Sequence, residues 1–161
     1  MSVWTRRGFL GASLAGLALP GRALAFGETS QVDVGQLDLG TGTALRPDAW
    51  VRLLYEIEVA ASVECVPRAV RVTPDSPDLF AHPFCALVGA DRFQMPNEQG
   101  LAQLSRFLSY GGFLFVDETT GAERSPFDAA VRTLCERLFP TRPLAPLPSD
   151  HSVYRSFFLI E

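Results

Sequence analysis

The chain has 161 residues, with 14 cationic side chains, all of them arginine, against 18 acids. A charged fraction of 20% and a hydrophobic fraction of 47% exclude a disordered polymer and provide for the core of one domain. The formal net charge of −4 argues against a surface made for nucleic acid or anionic lipid.

At the N-terminus, Thr5-Arg6-Arg7-Gly8-Phe9-Leu10 precedes the modestly apolar stretch Gly11 to Leu19. Ala23-Leu24-Ala25 then supplies small residues of the kind at which a signal peptidase cuts. This segment is similar to a twin-arginine export signal, with Arg6 and Arg7 as its motif and Ala25 as the cleavage site. Gly11 stands where that pattern usually has lysine. The apolar run is too short to cross a bilayer of ~30 Å as a helix, so the mature chain is expected to be periplasmic or otherwise extracytoplasmic, without a transmembrane helix. Removing 25 residues, three of them arginine, leaves 136, with 11 arginines against the 18 acids. Residues 26–161 then form a single α/β domain. Three cysteines remain, Cys65, Cys85 and Cys135, an odd number that leaves at least one unpaired within the chain. Cys85, inside an apolar run, reads as a buried free thiol.

Gln31 to Leu39 alternates well enough to predict a first strand, ending in the loop Gly40-Thr41-Gly42-Thr43. Pro47 and Asp48 then open a helix running to about Ser62, with Trp50, Leu53, Leu54, Ile57 and Ala61 at helical spacing. Tyr55, Ile57 and Val59 also alternate as a strand would, and length decides for the helix. Ala69 to Val72 predicts a short second strand. Pro77-Asp78-Leu79-Phe80 predicts a brief helical turn, and Phe84 to Val88 a strand buried on both faces.

Met95-Pro96-Asn97-Glu98 starts the next helix, whose stripe is Leu101, Leu104, Phe107 and Leu108, with Gly111 as its left-handed cap. Tyr110 to Glu118 is expected to be the strand at the centre of the scaffold. Ser125, Pro126 and Asp128 open a third helix, with Phe127, Val131, Leu134 and Leu138 on one face. Thr141 to Pro148 is an extended connector, and Phe157 to Ile160 an apolar tail that needs burial. Strands alternating with helices predict a three-layer α/β/α domain with a mainly parallel sheet.

Ligands of open parallel sheets collect outside the carboxyl ends of the strands, which directs attention to the loops after Leu39, Gly89 and Val116. Asp117 and Glu118 are the first candidates, as acid, base or cation ligand. Against this, Asp117 can cap the following loop while Glu118 stays solvated. Asp150-His151 is the second candidate, a histidine beside a carboxylate, although Asp150 also suits a turn. His82, before Pro83, reads as structural. No nucleophile elbow is present, and Cys85 lies within a strand rather than above it. Gly40-Thr41-Gly42 lacks a third glycine in register for phosphate. No transition-metal spacing occurs, and no cofactor is indicated.

Four segments in order carry a family resemblance. They are Ser76 to Phe84 (SPDLFAHPF), Leu108 to Glu118 (LSYGGFLFVDE), Leu138-Phe139-Pro140, and Pro148 to Phe158 (PSDHSVYRSFF). Together they resemble the domain-of-unknown-function family 4159. The resemblance implies a flavodoxin-like fold of the glutamine-amidotransferase-like class I type, found in exported or envelope-attached bacterial proteins, and it implies no activity. This sequence has Gly89-Ala90-Asp91-Arg92 where members often carry Gly-His-Gly. The family domain also runs on past the Ser-Phe-Phe segment, so a C-terminally shortened member or a fragment is expected. Two readings stand. One is a non-catalytic or degenerate module binding a small molecule or a cell-envelope protein. The other is a hydrolase or metal-dependent enzyme using Asp117, Glu118, Asp150 and His151.

Overall fold

The computed structural model of the chain describes residues 31–122 and 124–156. Arg6, Arg7 and Ala25 of the expected leader, and the tail Phe157 to Ile160, lie outside the described residues. Four strands and three α-helices follow one another: β1 (Val32–Leu37), α1 (Pro47–Ala61), β2 (Cys65–Val72), β3 (Phe84–Gly89), α2 (Glu98–Ser109), β4 (Phe113–Glu118) and α3 (Pro126–Leu138). Single 3-10 turns occupy Pro77–Ala81 and Ser152–Arg155.

The sheet is parallel throughout, in the order β2-β1-β3-β4, which is a flavodoxin-like arrangement. Helices cover both faces. Trp50 and Leu54 of α1 pack with Val34, Ala86 and Val88. On the opposite face, Leu104 and Phe107 of α2 and Phe127, Val131, Leu134 and Leu138 of α3 pack with Leu37, Cys85 and Leu87. Since alternate residues of a strand face opposite sides, β1 and β3 supply both cores, and the continuous apolar run of β3, Phe84 to Val88, follows from that.

Local signals set the helix ends. Pro47 takes the first turn of α1, where a missing N–H costs nothing. The helix prevails over the alternating pattern because it lays Trp50 and Leu54 on the sheet while Tyr55 and Val59 stay in solvent. The Asn97 side chain accepts from the Gly100 amide and starts α2. Gly111 ends that helix at φ 100°, and the Gly112 amide donates to Phe107 O at 2.9 Å, a left-handed cap of Schellman type. The Ser125 hydroxyl accepts from the Asp128 amide at 3.0 Å to start α3.

Two expectations are corrected. β2 begins at Cys65 rather than Ala69. Pro67 falls in an irregularity of the β1 pairing, where Val32 matches Cys65 and Val34 matches Ala69, a place that tolerates a residue without an N–H. The second correction concerns β4, which among the described residues lies at the edge of the sheet rather than at its centre. Phe113 is 55% exposed, Phe115 42% and Val116 38%, so this apolar run is not buried on both faces. The central place belongs to β1 and β3.

Candidate functional site

Connections from β1 run to β2 on one side of it, and the chain then returns to place β3 on the other. The switch point therefore lies between β1 and β3, the position at which open α/β sheets leave a crevice. A cleft of about 260 Å³ opens there. Its walls come from three loops: Asp38 and Leu39 after β1, Pro74 and Asp75 after β2, and Gln94 to Asn97 with Gly100 after β3.

Asp38 is the most firmly held group at the cleft. Its Oδ1 accepts from the Gly40 amide at 2.7 Å and from Thr43 Oγ1 at 3.2 Å, and its Oδ2 accepts from Arg71 Nε at 2.6 Å. Burial by itself pushes this carboxyl up, but the Gly40 amide, the Arg71 guanidinium and the Thr43 hydroxyl outweigh it and hold the pKa below its ordinary value. The Arg71 side chain is 66% exposed beside it and keeps donors free toward solvent. A short Gly-rich loop makes this geometry. Gly42 has φ 95°, and a Cβ there would stand 2.3 Å from the Arg92 carbonyl oxygen, so only glycine fits. The loop then joins β3 through a Thr43–Gly89 bridge, and the Ala90 amide donates to Gly42 O. The Gly40-Thr41-Gly42 segment thus serves to close the loop against β3.

The residues singled out by sequence fall elsewhere. Glu118 caps the loop after β4: Oε1 accepts from the Thr120 amide at 3.0 Å and the Thr120 hydroxyl at 2.6 Å, and Oε2 accepts from the Gly121 amide at 3.0 Å. The Thr120 hydroxyl and the loop amides hold its pKa below the ordinary range. Asp117 is exposed. The expected roles of these two neighbours are therefore exchanged, since the longer side chain reaches back to the turn. His151 Nδ1 accepts from the Val153 amide at 3.2 Å and caps the last 3-10 turn, with Asp150 exposed beside it. Among the described residues, no hydrogen bond or ion pair joins Asp117 or Glu118 to Asp150 or His151. No cluster of three metal-ligating side chains occurs among them either.

At the opposite, amino end of the sheet, His82 Nδ1 lies 2.8 Å from Asp33 Oδ2. His82 is buried, and Asp33 Oδ1 is buried without a hydrogen-bond partner. The pair ties the start of β1 to the turn before β3, which agrees with a structural His82. Cys85 is fully buried between them and α3, and burial first, then the Asp33 carboxylate, pushes its thiol up to about 12. All three cysteines are free. A thiol so buried and protonated is a packing group rather than a nucleophile.

Sequence reasoning pointed to the loops after Leu39 and Gly89, two of the three that wall the cleft, but missed Asp38, Arg71, Gln94 and Asn97 as a group. Asp38 and Arg71 are 33 positions apart, and only the pairing of β1 with β2 brings them together. No helix among the described residues is long and apolar enough to cross a membrane. A family model described as a domain of unknown function, DUF4159, matches residues 33–161. No curated protein matches the sequence.

Proposed function

The chain belongs to the DUF4159 family, and for this member we propose an exported, non-catalytic binding module of the bacterial cell envelope that holds a small polar ligand in the cleft at the β1/β3 switch point. The observation that carries this reading is the convergence of three loops on one crevice at the carboxyl ends of the strands. Asp38, Asp75, Gln94 and Asn97 give that crevice acceptors and amides, and Arg71 adds a cation at its margin. This set suits hydroxyl or amide groups better than an apolar ligand. At about 260 Å³ the cleft is small for a ligand site.

The groups that the rival enzyme would need support the binding reading by what they already do. Both Glu118 oxygens and the His151 Nδ1 are taken up by their own loops. A degenerate amidotransferase-like domain fits this pattern, with Gly89-Ala90-Asp91-Arg92 in the loop after β3. Export rests on Arg6, Arg7 and the small residues ending at Ala25.

Native mass spectrometry of the protein isolated from the periplasm tests both parts. The expected result is a mature chain starting at Phe26 with a small retained adduct, lost when Asp75→Ala and Gln94→Ala are combined. Unprocessed protein confined to the cytoplasm removes the export proposal. A wild-type chain without an adduct, together with hydrolysis of generic ester or amide substrates that disappears in Asp117→Asn and His151→Ala, would replace the binding module with the enzyme.

A further inference from the structure

A groove that shares no lining residue with the switch-point cleft runs between α1 and the start of β2. At about 590 Å³ it is the larger of the two. One wall is a single face of α1, where Asp48, Val51, Tyr55 and Glu58 follow one another at spacings of three and four. The other wall is Cys65 and Pro67 of β2. Between the charged ends of that face the surface is apolar, and Tyr55 holds its ring 63% exposed at the mouth. A large aromatic kept in solvent beside a hollow is the kind of side chain on which association energy concentrates.

Charge decides what belongs there. Three carboxylates, Asp48, Glu56 and Glu58, line the groove against one guanidinium, Arg52, and Arg52 already lies 3.4 Å from Glu56. Two acids are left over, since among the described residues neither Asp48 nor Glu58 has an ion-pair partner. The Glu58 charge is felt across the groove: burial first, then this carboxylate, raises the Cys65 thiol above its ordinary value. Such a rim repels anionic lipid, nucleic acid and acidic peptides. A second copy seated on it by two-fold symmetry would set the same acids against each other. Addition of a strand along β2 is opposed by Pro67 and the irregular register around it. What fits is a segment held by its side chains, apolar toward the floor and cationic toward the rim, as a helix lies in a groove.

We propose that the groove between α1 and β2 binds an amphipathic cationic helix of a partner protein, with apolar side chains on Val51, Tyr55 and Pro67 and Lys or Arg against Asp48 and Glu58. The probe is a labelled peptide of leucine and lysine, about four turns long, with its leucines on one helical face, titrated with the full chain and followed by fluorescence anisotropy. Saturable binding is expected. Tyr55→Ala should weaken it at least about tenfold, and Asp48→Asn combined with Glu58→Gln by about tenfold. Asp78→Asn with Glu136→Gln removes the same charge from elements packed on the opposite face of the sheet and should change binding less than about twofold. All five positions are exposed, so these variants are expected to keep the fold, which circular dichroism checks. Absence of saturable binding overturns the proposal, as do equal losses in the two charge pairs or equal binding of the same peptide with glutamate in place of lysine. Self-association of the unliganded chain that Tyr55→Ala abolishes overturns it and assigns the groove to a second copy. Binding by the processed chain beginning at Phe26, but not by the full chain, overturns it in favour of the chain's own first 25 residues.

Discussion

Along β2, at one edge of the sheet, Pro67 sits in an irregular stretch and Arg68 and Arg71 hold charge in solvent, whereas β4 at the other edge offers Phe113, Leu114, Phe115 and Val116 in an even register. Among the described residues, both strands pair on one side only. The first carries the features by which natural sheets prevent further pairing, and the second has none before Asp117. The difference is that, among the described residues, β2 carries a guarded free side and β4 an unguarded one. It also separates the two edges in relation to the cleft, because the guarded edge supplies Arg71 to Asp38 there, while β4 contributes no residue to its lining.

The largest expected effect comes from making one substitution at both edges. Val72 is 2% exposed and Val116 38%. Val72→Ala should cost about 2 kcal/mol and Val116→Ala under about 1 kcal/mol, read from urea unfolding. Equal losses would show that Val116 is covered as fully as Val72, and the contrast between the two edges would fail.

Next in size is the tie across the β2 edge. Asp38→Ala should cost about 1.5 kcal/mol, since it leaves the Gly40 amide and Thr43 hydroxyl without their acceptor. Its folded pKa lies below the ordinary 3.8, so its contribution is present above about pH 4 and is lost as pH falls through 3.8 toward the folded value. Acid titrations followed by circular dichroism should show a smaller loss of stability below pH 4 in Asp38→Asn than in wild type. An unchanged acid limb would mean that Asp38 does not hold this edge.

The smallest effect on stability comes from unguarding β2. Pro67→Val with Arg68→Val should alter unfolding by no more than about 0.5 kcal/mol, yet produce self-association in sedimentation velocity. A chain that stays monomeric after both changes would mean that the irregular pairing alone guards the edge, and the contrast with β4 would then rest on geometry rather than on residue type.

The parts of this fold that were legible in the sequence are those in which cause and effect lie within a turn of one another. Asn97 and Ser125 start helices by accepting from amides three positions on, Pro47 takes a first-turn position that needs no N–H, and the left-handed Gly111 lets the Gly112 amide close α2 on Phe107 O five positions back. The candidate site was legible only as an address, the carboxyl ends of the strands. Asp117 and Glu118 stood at such an end, but the reach of the Glu118 side chain to Thr120 and Gly121 made it a loop cap. Asp38 looked like an ordinary alternating polar residue until Arg71 arrived beside it.

By itself, then, the sequence determined a parallel α/β domain, its three helices and their ends, because periodicity and capping are local properties of the chain. Only the tertiary structure decided the strand order, and with it the edge position of β4, the joining of Asp38 to Arg71 and of Asp33 to His82. An apolar run reports that both faces of a strand want cover. It does not report whether another strand lies alongside, since lateral pairing is fixed by which side each crossover takes.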